Sequence, residues 1–208
     1  MEEALQRDLP QDCGDNPINV SRKDCIYTSC YCEENVWKLC KFVEDNHPSL
    51  VKGSFAVFIS NENRQIPLWM QKAAGSPEEL VVWDYHVIFI LKASHKATVY
   101  DLDTTLPFPC PFQKYVSLSL RSEENLQEQF HRKFRVIPCQ LFLETFASDR
   151  SHMKKKDGSY QKPPPSYPCI FTKESTMNLD NFISMNKGSW HGDVFTLGEF
   201  IQHFNTKM

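Results

Sequence analysis

The chain has 208 residues, 41% hydrophobic and 12% aromatic, enough for one domain with a sizeable core and too apolar for a disordered polymer. Its 23 basic and 26 acidic residues leave a formal charge of −3, so no broad basic surface argues for a nucleic-acid partner. The longest apolar runs, such as Val87 to Leu91, are of strand length and exclude a transmembrane helix.

Residues 1–24 are polar, carry Pro10, Gly14 and Pro17, and show no period. They read as a loosely ordered leader before a single domain over 25–208. The opening Met1-Glu-Glu-Ala-Leu-Gln-Arg-Asp8 lacks the basic and apolar regions of a secretion signal, which predicts a reducing compartment. Cys13, Cys25, Cys30, Cys32, Cys40, Cys110, Cys139 and Cys169 are then expected as free thiols. Only one residue separates Cys30 from Cys32, and no second Cys or His pair completes a tetrahedral set, so no metal is expected.

From Cys32 to about Asp45 the pattern is helical, with Val36, Leu39, Cys40 and Val43 on one stripe and Trp37 widening it. Glu33 and Glu34 fall in its first turn, as the macrodipole prefers, and His47-Pro48 ends it. Three strands are predicted next: Ser54 to Ser60, Leu80 to Leu91 and Ala97 to Asp103. So few residues join the last two that an antiparallel hairpin is the natural connection. A proline-stiffened segment follows Thr105. Helices are predicted near Phe112 to Leu120, Glu123 to Lys133 and Gln140 to Ala147, with a strand over Phe134 to Ile137. Lys154 to Pro165 is a long polar loop, and Thr196 to Phe204 a closing helix.

Chemistry enters at Cys32. A helix N-terminus offers unsatisfied N–H groups and partial positive charge, which favour a thiolate. A thiolate nucleophile needs a histidine, and the histidine an orienting acid. If Leu91 pairs with Lys96, His86 lies opposite Asp101 on one face of the hairpin. That register is an assumption, and a one-residue slip breaks it. The expected resting state is a Cys32 thiolate beside a His86 imidazolium, since Glu33 and Glu34 oppose the thiolate. Against this stand plainer readings: a cysteine near an aromatic helix is commonly core, and a strand histidine commonly a satisfied polar group. His152 is the rival histidine, with a solvated loop position as its plainer reading.

Ser29-Cys-Tyr-Cys-Glu-Glu-Asn35, Ala56-Val-Phe-Ile-Ser-Asn61, Trp83-Asp-Tyr-His86, Tyr100-Asp-Leu-Asp-Thr104, Leu106-Pro-Phe-Pro-Cys110, Arg132-Lys-Phe-Arg-Val136, Phe146-Ala-Ser-Asp-Arg-Ser-His-Met153 and Met177-Asn-Leu-Asp-Asn-Phe-Ile-Ser-Met185 resemble the protein N-terminal glutamine amidohydrolases. The resemblance runs from about residue 25 to the C-terminus. It implies a monomeric α/β (α+β) cysteine hydrolase of papain- or transglutaminase-like fold, with a mainly antiparallel sheet flanked by helices. It implies a Cys32–His86–Asp101 triad that converts N-terminal glutamine of proteins and peptides to glutamate, without cofactor, metal, nucleic acid or membrane. The product is a secondary destabilising residue of the N-degron pathway, in cytoplasm and nucleus. Refusing internal glutamine requires sensing the free α-ammonium, and a buried carboxylate would serve. Asp84, Glu33, Glu34 and Asp103 are unranked candidates. Ser29 and Cys30 could line the pocket through backbone groups, and Trp83 and Tyr85 could be core or wall. Two other readings remain at this point: a papain-like protease or transglutaminase with the same triad, and a non-enzymatic interaction module.

Overall fold

The computed structural model describes residues 16–76, 78–93 and 96–205. A six-stranded antiparallel sheet organises them. In chain order the elements are α1 (Cys32–Asn46), β1 (Ser54–Ser60), β2 (Ile66–Leu68), β3 (Val81–Trp83), β4 (His86–Ala93), β5 (Lys96–Tyr100), β6 (Cys110–Pro111), α2 (Phe112–Tyr115), β7 (Lys133–Pro138), α3 (Cys139–Thr145), α4 (Leu179–Ile183), β8 (Asp193–Thr196) and α5 (Leu197–Asn205). Spatial order across the sheet is β6-β5-β4-β1-β7-β8, while β2 and β3 form a separate two-stranded sheet.

Alternating side chains of the central strands feed two cores. Ala56 and Phe58 of β1 and Val87, Phe89 and Leu91 of β4 pack with Val36, Leu39, Cys40 and Val43 of α1 and with residues of α3 and α4. Val57, Ile59, Ile88 and Ile90 point the other way, toward α2, α5 and the small sheet. Burial on both faces explains why these strands read as continuous apolar runs rather than as an alternation. Among the described residues no helix is long and apolar enough to cross a membrane.

The α+β class, α1, β1 and the antiparallel β4–β5 pairing follow the sequence expectation, and four elements depart from it. The strand expected over Leu80 to Leu91 is two strands in two different sheets. At the break, Ser60 Oγ donates to the Asp84 carbonyl at 2.8 Å and the Tyr85 N–H donates to Asp84 Oδ1 at 2.9 Å. Both backbone groups are thus satisfied outside a ladder. The helix expected over Glu123 to Lys133 shrinks to one 3₁₀ turn, Glu128–Phe130, because Arg132 is drawn inward by Glu123 and Lys133 already belongs to β7. The strand expected to reach Asp103 stops at Tyr100.

The leader is the fourth departure. Residues 1–15 lie outside the described residues, but the rest of it, 16–24, is built into the fold. Ile18 is 0% exposed and Val20 4%, both in the core beside α1. The Tyr100 hydroxyl donates to Asn16 Oδ1 at 3.1 Å, and Arg22 Nη2 to the Leu106 carbonyl at 2.8 Å.

Candidate active site

The site lies where the tip of α1 meets the first residues of β4 and the end of β5. Tyr31 is the N-cap of α1 and its side chain makes no capping bond, so the first-turn N–H groups stay available for a ligand. Asn35, 1% exposed, fixes the chain entering this turn: its Oδ1 accepts the Thr28 N–H at 2.8 Å and its Nδ2 donates to the Thr28 carbonyl at 2.9 Å. Ser29 and Cys30 are thereby held at the surface beside the helix tip, Cys30 with a left-handed φ of 67°.

Cys32 is partly exposed and opens the helix. The backbone N–H of Val87, one residue beyond His86, favours its thiolate form. The β4–β5 ladder stops at Phe89–Tyr100, two residues short of Val87. His86 Nε2 and Asp101 Oδ1 are 3.0 Å apart, with both side chains buried. Asp101 Oδ1 also accepts the Asp103 N–H at 2.9 Å, and Oδ2 accepts the Tyr115 hydroxyl at 2.9 Å. Trp83 stacks on the imidazole, ring centroids 5.8 Å apart at 20°.

The register that brings His86 to Asp101 is not the assumed one. Leu91 pairs with Thr98 and Ala93 with Lys96, a shift of two residues. Continued, this ladder would set Asp101 opposite Ile88 and diagonal to His86. A shift of two preserves the face, whereas a shift of one would not. Asp101 lies just past the end of β5 and is free to turn toward the imidazole.

Charge at the site is lopsided. Burial pulls the His86 pKa down, but the charge and hydrogen bond of Asp101, then Asp103 and Glu33, outweigh it and raise the net value. Burial pushes the Asp101 pKa up, and His86 together with the Asp103 N–H and the Tyr115 hydroxyl brings it below its ordinary value. The dense protein around Cys32 pushes its thiol well up, Glu33, Asp103 and Asp84 add to this, and the Val87 N–H pulls the other way. Burial first, and then these acids, work against the expected resting thiolate. Burial, with the charges of Glu33 and Asp101 respectively, raises Tyr85 and Tyr115, so both hydroxyls keep their protons and donate.

The structure separates the carboxylates that sequence left unranked. Glu34 is consumed by Arg150, which donates Nε to Oε1 at 2.9 Å and Nη2 to Oε2 at 2.8 Å. Asp84 is exposed. Asp103 Oδ1 accepts the Tyr27 hydroxyl at 2.6 Å. Glu33 is 0% exposed, and its Oε2 lies 3.0 Å from the Tyr85 hydroxyl and 3.6 Å from the Cys32 sulfur. Ligand atoms of His86, Asp101 and Asp103 lie within 4.8 Å of one another, a spacing that suits a metal. Both Asp101 oxygens and Asp103 Oδ1 are already engaged as acceptors, however. Sequence reasoning missed Tyr115 and Asn35. The Tyr115 contact joins separate elements, and Asn35 bonds Thr28, seven residues earlier, in a turn that carries no period.

A family model for N-terminal glutamine amidases matches residues 27–204. A bovine relative named protein N-terminal glutamine amidohydrolase is 47% identical over 192 residues, 92% of this chain and 92% of its own length. A zebrafish relative of the same name is 49% identical, covering 91% of this chain and 94% of the relative. A human one is 47% identical, covering 92% and 93%. The chain belongs to the N-terminal glutamine amidase family.

Proposed function

We propose that this chain hydrolyses the side-chain amide of an N-terminal glutamine, giving N-terminal glutamate and ammonia, with Cys32 as nucleophile, His86 as acid and base, and Asp101 as its orienting partner. Kinship along nearly the whole chain to relatives named for that activity carries the reading. The His86–Asp101 contact supports the assignment of roles, because it commits Nε2 and leaves Nδ1 for the thiol proton.

Nδ1 takes the proton of the Cys32 thiol as the sulfur attacks the side-chain carbonyl carbon of glutamine. The uncapped N–H groups at the α1 tip receive the oxyanion. The imidazolium returns its proton to the amide nitrogen, the C–N bond breaks and ammonia leaves. A thioester remains. Water adds to it, His86 takes the water's proton and passes it to the departing sulfur, and the carboxylate is released. Asp101 holds the ring and stabilises its charged form without itself becoming protonated. The chemistry calls for no cofactor. The enzyme acts as a monomer in cytoplasm and nucleus, and its product passes to the arginylation step of the N-degron pathway.

Mass spectrometry of a Gln-led peptide tests the reading. Deamidation adds about 1 Da, the difference between an amide and an acid. The parent converts the free peptide, while Cys32→Ala folds and converts none. Release of a new peptide N-terminus would assign the protein to the proteases. No turnover of any Gln-led peptide would favour the interaction module.

A further inference from the structure

One buried pair beside the nucleophile has no task in that mechanism. Glu33 Oε1 is enclosed by protein and has no hydrogen-bond partner. The nearest group of opposite potential, His152 Nε2, stands 3.5 Å away, and neither ring nitrogen of His152 has a hydrogen-bond partner. A buried carboxylate oxygen and shielded imidazole nitrogens, on a His152 side chain 22% exposed, are costly without partners. Their neighbours show that the cost is maintained by construction. Tyr85 holds the other oxygen of Glu33 at 3.0 Å. Arg150, in a left-handed conformation with φ 61°, grips Glu34 and so fixes the turn that carries His152. Tyr31 packs edge-on against the His152 ring at 6.4 Å.

We propose that Glu33 Oε1 and His152 Nε2 together receive the α-ammonium of the substrate's first residue, and that this pair restricts the reaction to N-terminal glutamine. The assignment rests on the amidohydrolase reading and specifies what that reading leaves open. An ammonium has three donors and no acceptor, so a carboxylate oxygen and the unprotonated nitrogen of an imidazole are both suitable partners. Two acceptors 3.5 Å apart can share one nitrogen at about 2.8 Å from each. Four bonds separate the α-nitrogen of glutamine from its side-chain carbonyl carbon, a span of at most about 5 Å. Glu33 Oε2 lies 3.6 Å from the Cys32 sulfur, so an ammonium on Oε1 sets that carbon within attack distance of the sulfur. An internal glutamine brings a neutral amide N–H instead and leaves Glu33 uncompensated.

The test compares kcat/KM for a Gln-led peptide and for its isostere with hydrogen in place of the α-amine. The parent is expected to favour the amine by at least about 100-fold. Glu33→Gln is expected to lose most of that preference, falling about 100-fold on the Gln-led peptide and staying within about threefold of the parent on the isostere. Glu33→Asp, which keeps the charge, recovers part of the preference. His152→Leu loses about tenfold on the amine-bearing peptide alone. An unchanged preference in Glu33→Gln, or an equal loss on both peptides, overturns the assignment. If Glu33→Gln does not fold, Tyr85→Phe removes only the hydroxyl that aims Glu33. It should then lower the amine-bearing peptide about tenfold and spare the isostere, and any other pattern overturns the proposal. A parent that processes both peptides equally overturns it while leaving the amidohydrolase reading intact. A parent that processes neither removes the reading itself.

Discussion

Asp101 accepts three hydrogen bonds: from the imidazole, from the Asp103 N–H and from the Tyr115 hydroxyl. A buried carboxylate survives as an anion only with such support. Its pKa is held below the ordinary carboxylate value and that of His86 above the ordinary imidazole value, so the pair is also a pH-dependent source of stability. The His86 contribution is fully present below the unfolded imidazole pKa and is lost as pH rises through the raised folded value. The Asp101 contribution is present above the unfolded carboxylate pKa and is lost as pH falls through the depressed folded value. The two overlap between about pH 4 and about pH 6.5. Asp101→Asn is therefore expected to destabilise by about 2–4 kcal/mol near pH 5 and by clearly less near pH 9. Urea denaturation of parent and variant at the two pH values measures this, and a pH-independent difference would contradict the charged pair. The same variant is expected to lose about 10²–10⁴-fold in kcat, because a neutral asparagine stabilises the imidazolium less than a carboxylate and can fix the wrong tautomer.

At the scale of elements, α1 is decided by its first turn. Two acids there look alike in sequence, and the macrodipole accounts for either equally well. The fold divides them: Glu34 anchors the helix to the rest of the protein, and Glu33 faces the chemistry. Arg150 Nη1 also donates to the carbonyls of Pro165 and Tyr167, so the Glu34 pair ties α1 to the far end of the polar loop. Glu34→Ala strands a guanidinium that is 5% exposed and is expected to cost about 3–5 kcal/mol in chemical denaturation. A cost below about 1 kcal/mol would mean that water reaches Arg150. Much of this was legible beforehand. The 3.6-residue stripe gave α1, the apolar run gave β1, and the short link between two strands gave the hairpin, so Cys32 and His86 were found on their elements and Asp101 one residue past the end of its strand. Legibility failed where tertiary contacts decide. No proline or glycine marks the break at Asp84-Tyr85, and α4 and β8 are too short to carry a period. His152 stood out as a second histidine, but its pairing with Glu33 depends on a turn 119 residues downstream of that acid, fixed by a left-handed Arg150.

Across the whole molecule, the site sits at one end of a sheet whose two faces are packed independently. Tyr115 reaches Asp101 from the core on the α5 side, and α1 presents Cys32 from the core on the other. Sulfur and carboxylate thus approach from opposite sides of the sheet, and His86 at the start of β4 lies between their supports. Such an arrangement holds its geometry only while β4 and β5 stay in register with both cores. The segment 16–24 bears on this: Asn16 bonds Tyr100, the residue before Asp101, and Arg22 lies over Phe108 at 5.2 Å. Composition alone made these residues dispensable, since seven of the nine are polar or turn-forming; burial of Ile18 and Val20 makes them part of the core. Ile18→Ala is expected to cost about 2–5 kcal/mol by urea denaturation, the range for emptying a fully enclosed aliphatic site. A loss under about 0.5 kcal/mol would show the segment detached in solution, as the sequence pattern suggested. Because the segment braces the strand that ends at Asp101, the same variant is expected to lower kcat as well as stability, in contrast to a core truncation remote from β5.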